Sequence, residues 1–134
     1  MFSIQLENET LHNKYYRNVI FTSTNMQLVL MNLPVNTNIS KEIHKDHDQF
    51  IKIEEGICKV ITPDKISILN AGDAVIIIAG TQHEVINIGS INLKLYTIYT
   101  PPEHKAGLIQ EYNDNKIEQV QNGGSIMLLC FLPQ

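Results

Sequence analysis

The sequence predicts an all-β, single-domain sandwich or barrel, and three observations carry that prediction: short β-branched runs, turn residues spaced regularly between them, and no long helical period. The runs fall at residues 16–22, 26–33, 49–53, 58–62, 75–78, 83–88 and 93–99. Each is rich in Val, Ile, Leu, Thr or Tyr, most of which favour a pleated, half-buried surface. Between them stand Thr24-Asn25, Pro34 with Asn36 and Asn38, Glu55-Gly56, Pro63-Asp64, Asn70-Ala71-Gly72, Gly80 and Gly89-Ser90, the residue types that turns use.

Two stretches break the rhythm. Pro101-Pro102-Glu103-His104 must leave the sheet, because proline donates no ladder hydrogen bond, and it is expected to cross a barrel mouth. Residues 108–120 are expected to form a short irregular helix, after which Gly123-Gly124 sets off the apolar run 125–132. That tail is costly to leave in water, so it is either a late strand of the same sheet or a subunit contact.

A chain of 134 residues suits one domain, with the barrel over about 13–106 and a C-terminal extension over 107–134. Ten Lys and Arg against 14 Asp and Glu make it mildly acidic, and Arg17 is its only arginine. Nothing in that balance is built to neutralise nucleic-acid phosphates. The first ten residues contain polar Asn and Glu where a signal peptide would be basic and then apolar, so a cytoplasmic location is expected. The apolar run 126–132 is far below the roughly 20 residues that cross a bilayer, so no membrane span is expected. Cys58 and Cys130 lie 72 positions apart without a CxxC spacing and read as two reduced, buried thiols.

The residues with chemistry gather in two places. Glu42 and His44 are two apart, so in a strand both point to one face and can reach one atom. Gln49 faces the other way in an unbroken strand, but Lys45, Asp46, His47 and Asp48 suit a hairpin turn that resets the phase. His83 arrives from a separate strand and completes a four-ligand set for a divalent metal. The rival reading is a surface carboxylate, a turn histidine, a strand glutamine and a core histidine with no metal. His47 is the rival ligand, through the His44-x-x-His47 spacing, and is otherwise an exposed turn residue.

These residues resemble the two motifs of the cupin family. The first family motif is glycine, five residues, His-x-His, three or four residues, Glu, six residues, glycine; this chain has Asn36, Glu42-Ile43-His44, Gln49 and Gly56 in that spacing. The second is glycine, five residues, Pro-x-Gly, two residues, His, three residues, Asn; here it reads Gly72, Ile78-Ala79-Gly80, His83 and Asn87. Fifteen residues separate Gly56 from Gly72, similar to the short link of compact cupins. Asn36 replaces a glycine, Ile78 a proline, Glu42 the first His and Gln49 the Glu, so one carboxylate and two imidazoles remain with the carboxylate moved. Residues 13–106 are also similar to small cupins described as phosphomannose isomerase-like, through Tyr16-Arg17, Asp48-Gln49-Phe50 and the stretch from Leu95 to His104.

The resemblance implies a jelly-roll-like double-stranded β-helix, a small-molecule substrate and a homodimer paired through its sheets. Two imidazoles and one carboxylate suit iron, manganese, zinc or nickel. A single carboxylate leaves a bound divalent ion with net positive charge, which polarises a hydroxyl or carbonyl oxygen. The leading expectation is a metal-dependent enzyme on a small carbohydrate or carbonyl compound, such as a sugar or sugar-phosphate isomerase, with His104, Tyr96 and Tyr99 as candidate catalytic groups and Gln27 a further wall residue. The alternatives are a non-heme iron dioxygenase and a non-catalytic sugar-binding module. The scarcity of arginine speaks against a strong phosphate clamp, so a free sugar suits the site as well as a phosphorylated one.

Overall fold

A computed structural model describes residues 1–113, in which a short helix is followed by ten strands. The helix α1 is Leu6–His12; the strands are β1 Arg17–Thr22, β2 Gln27–Leu33, β3 Asn38–Glu42, β4 Asp48–Glu55, β5 Cys58–Ile61, β6 Ile66–Leu69, β7 Ala74–Ile77, β8 His83–Asn87, β9 Leu93–Thr100 and β10 Ile109–Gln110. They form a six-stranded sheet in the order β10-β1-β2-β9-β4-β7 and a four-stranded sheet in the order β3-β8-β5-β6, every pair antiparallel. The all-β barrel predicted from the sequence is the observed architecture.

Alternation fills the interior. Val19, Val29, Met31, Leu33, Ile51, Ile53, Leu93 and Leu95 from one sheet meet Ile39, Cys58, Val60, Leu69 and Val85 from the other in one apolar core. Each such aliphatic side chain contributes about 1.5–3 kcal/mol by leaving water. Toward one end the inward positions turn polar: Gln27, Tyr99 and Gln49 lie side by side across β2, β9 and β4, with Ile77 of β7 next to Gln49. The barrel therefore has an apolar floor and a polar mouth.

The other motif residues shape the backbone. Asn36, at the motif's glycine position, has φ 65°, the left-handed conformation that Asn adopts more readily than most side chains. Asn87 donates to the carbonyls of Leu33 (2.9 Å) and Ile91 (3.0 Å) and accepts from the amide of Gly89, closing the floor. Gly56 has φ 96°, and a Cβ there would meet Asn92 O and Leu93 Cα at 3.1 Å. Both of those atoms are backbone and cannot swing away. Gly56→Ala is therefore expected to destabilise the fold by about 1–3 kcal/mol in a urea titration; an unchanged midpoint would show that the turn relaxes freely.

Four elements lie outside the predicted runs: α1, β3, β6 and β10. Helix α1 is short, carries Glu7 and Glu9 in its first turn, and is tied down by Thr10 bonding the carbonyl of Leu6 and by Lys94 Nζ reaching the carbonyl of Leu11. Strand β3 has a single apolar inward residue, Ile39, among polar ones, and β6 is an edge strand that turns Ile66 and Ile68 outward. The helix expected over 108–120 does not start as one: Ile109–Gln110 pairs with β1, and residues 114–120, with the apolar tail and Cys130, lie outside the described residues. The turn after His44 is also not a hairpin, because β3 and β4 belong to different sheets.

Candidate metal centre

Glu42 ends β3 and stands opposite His83, the first residue of β8, while His44 follows two residues past the strand end. Ligand atoms of the three side chains lie within 4.8 Å of one another. Both imidazoles present Nε2 to the centre: His44 Nε2 is 3.1 Å and His83 Nε2 3.9 Å from Glu42 Oε1. Their other nitrogens are held from behind. His83 Nδ1 donates to the carbonyl of Thr81 at 2.9 Å, and His44 Nδ1 lies 3.4 Å from Glu103 Oε2. Anchoring the far ring nitrogen on a carbonyl or carboxylate fixes tautomer and orientation, as metal-bound histidines require.

Two buried atoms in this region lack a hydrogen-bond partner, His83 Nε2 and Gln49 Oε1. Buried polar atoms are normally satisfied, so orphans beside a carboxylate and a second imidazole are what a missing ligand leaves. Gln49 donates its amide nitrogen to Thr97 (3.0 Å) and to the Tyr99 hydroxyl (3.3 Å), which leaves the carbonyl oxygen free. The donor set fits a divalent metal: Glu42, His44 and His83 would hold it, with Gln49 as a weaker oxygen donor.

The charges agree with that arrangement. Burial pushes the Glu42 carboxyl up, but the His44 hydrogen bond and charge, helped by Arg17 and His83, bring it below its ordinary value. The same hydrogen bond raises His44. Burial holds the Tyr99 phenol above its ordinary value, so it stays protonated. Burial lowers His104 to about 4, with Arg17 adding to the effect. As the pH falls from 6.5 toward 4, the unfolded chain takes up a proton at His104 that the folded chain refuses, so stability is lost across that window. Tm is expected to fall over that range and to fall less in His104→Gln; parallel curves would contradict this.

The remaining sequence candidates separate cleanly. Tyr99 and His104 are at the centre's edge, with the Tyr99 ring 5.5 Å from that of His44 and its hydroxyl 3.4 Å from His104 Nε2. Tyr96 is not: it faces the outside of β9, against Phe50 and Lys52, and its expected site position is corrected. Gln27 is a clamp rather than a wall residue, because its oxygen accepts from the amides of Glu103 (3.1 Å) and His104 (2.8 Å) and its nitrogen donates to the His104 carbonyl (2.7 Å). His47 is half-buried, not exposed. Its nitrogens go to Pro101 O at 2.6 Å and Glu103 Oε1 at 2.8 Å, which occupies it away from the three ligands. Together Gln27 and His47 hold the segment from Pro101 to His104 across the mouth, as its prolines predicted. Cys58 is a free, buried thiol that burial raises to about 11, consistent with an inert core residue.

Sequence reasoning missed two residues. Glu103 braces both His44 and His47, and its signal was a carboxylate inside the mouth-crossing segment. Arg17 faces the barrel interior on β1, on the same face as Val19, and is 8% exposed. Its signal was a lone arginine in an alternating apolar strand.

Comparison with known proteins agrees with the geometry. A family model described as Cupin domain matches residues 29–99. The chain is 42% identical over 129 residues to the uncharacterized protein L612 of Acanthamoeba polyphaga mimivirus, covering 93% of this chain and 77% of that one. It is 36% identical over 116 residues to the uncharacterized protein YrkC of Bacillus subtilis, covering 82% of this chain and 62% of the relative. The crystal structure of BH2720 from Bacillus halodurans superposes with a TM-score of 0.80 at 36% identity, over 82% of this chain and 88% of that one. Matching motifs, barrel topology and relatives of this similarity place the chain in the cupin family.

Proposed function

We propose that this cupin is a metal-dependent enzyme acting on a small hydroxylated or carbonyl compound, in the class of the phosphomannose isomerase-like cupins. The observation that supports it is the convergence of Glu42, His44 and His83 beside a buried Tyr99 and its half-buried partner His104. A divalent ion bound there supplies Lewis-acid polarisation of a substrate oxygen. The chain's own groups supply the proton path. Gln49 donates to the Tyr99 oxygen, and the Tyr99 hydroxyl in turn donates to Nε2 of a neutral His104. Tyr99 can therefore take a proton from a substrate hydroxyl as it passes its own to His104, so the phenol stays neutral while the proton moves toward the mouth. Closure by the segment from Pro101 to His104 keeps water from that path.

The test is turnover of a panel of aldoses and ketoses, free and phosphorylated, by metal-replete protein. Isomer formation that falls at least about tenfold in Tyr99→Phe supports the reading. Oxygen uptake with substrate in place of isomerisation would move the protein to the dioxygenase class, and tight binding without product would make it a binding module.

We also propose that the protein acts in the cytoplasm as a homodimer. Among the described residues no helix is long and apolar enough to cross a membrane. Ile66, Ile68 and Ile76 are exposed on β6 and β7, one edge strand of each sheet, and offer a second copy apolar surface. Sedimentation as a dimer at micromolar concentration is expected, and a monomer would remove the proposal.

A further inference from the structure

Arg17 stands inside the barrel with no ion-pair partner among the described residues. The residue is 8% exposed, and its guanidinium bonds Gln110 Oε1 through Nη1 and packs 5.1 Å over the Tyr16 ring. Its Nε has no hydrogen-bond partner, and among the described residues no carboxylate forms an ion pair with it. Burying a cation without a counter-charge is costly, and a fold keeps one where an anion completes it. The guanidinium also acts on Glu42, His44, Tyr99 and His104 through its field, so it shares the interior with the candidate centre.

From this placement we infer that Arg17 receives the carboxylate of an anionic substrate, and that the site takes small hydroxy- or oxo-carboxylates. The carboxylate meets the guanidinium by charge-assisted hydrogen bonds, while the substrate's hydroxyl or carbonyl oxygen faces Glu42, His44 and His83. The second half of this statement rests on the metal-centre reading; the first does not. A phosphate dianion is the poorer match, because Arg17 is the only Lys or Arg among the buried described residues. The inference narrows the substrate class from sugars in general to sugar acids and their small relatives.

The experiment is calorimetric titration of the full chain, zinc-loaded, with glycolate and pyruvate and with their neutral amides, glycolamide and pyruvamide. The amides keep shape and remove charge. The wild type is expected to favour the carboxylates by about tenfold or more, and Arg17→Gln to lose that preference. In the His44→Ala/His83→Ala double variant both members of a pair should weaken while their ratio persists, which separates failure of the metal reading from failure of this one. Equal affinity for acid and amide in the wild type, no binding of either acid, or a preference that survives Arg17→Gln would overturn the inference. Arg17→Met supplies a second readout. Ligand-free, it should melt no lower than the wild type because it removes an uncompensated buried charge, whereas a clear drop in Tm would mark Arg17 as a structural cation and overturn the proposal.

Discussion

Alanine at His83 is expected to weaken divalent-metal binding by more than about 100-fold, the upper range for losing a group that only braces a ligand. His83 is 2% exposed, its Nδ1 is committed to Thr81, and its Nε2 is buried with no hydrogen-bond partner. Removing it leaves one imidazole and one carboxylate. Glu103→Gln is the control that separates holding from bracing: it keeps all three ligands and loses only the charge behind His44 and His47. A loss of about 10–100-fold is expected there. Titration of both variants with zinc checks the order, and equal losses would mean that His83 is no ligand.

Gln27→Ala is expected to lower stability by about 3 kcal/mol, or roughly 10 °C in Tm. The Gln27 side chain is fully buried and satisfies two amides and one carbonyl of the mouth segment, while also donating to Thr22 Oγ1. Truncation strands these groups where water enters poorly. It also frees Glu103 from its fixed position behind His44, so metal affinity should fall along with stability. Tm and zinc titration on one sample check both effects. A variant that melts like the wild type would show that the segment is held by His47 and the barrel rim alone.

The site was legible where its information is local. Glu42, His44, Gln49 and His83 follow from motif spacing, and the structure brings the three strongest donors together across the β3–β8 pair. Asn36 and Gly56 follow from turn chemistry, and both hold positive φ. The two-residue period also separates Tyr96 from Tyr99: three positions apart in one strand, they must face opposite sides, and only Tyr99 is inward. Arg17 and Glu103 were not legible in this way. Their roles come from chain pairing across long separations, Arg17 with Gln110 and Glu103 with Gln27, His44 and His47, and spacing along a chain does not encode such contacts. Strands β3 and β6 were missed for a related reason. A polar strand at the site and an edge strand with outward isoleucines both depart from the inward alternation used to find strands.

The central claim is that Glu42, His44 and His83 hold a divalent metal. Elemental analysis of protein purified without an affinity tag or chelator tests it directly, with the His44→Ala/His83→Ala double variant prepared in parallel. The account predicts near-stoichiometric metal in the wild type and none in the variant, with the identity of the metal deciding between isomerase and oxygenase chemistry. Wild-type protein that carries no metal even after reconstitution, or a variant that carries as much as the wild type, would contradict it.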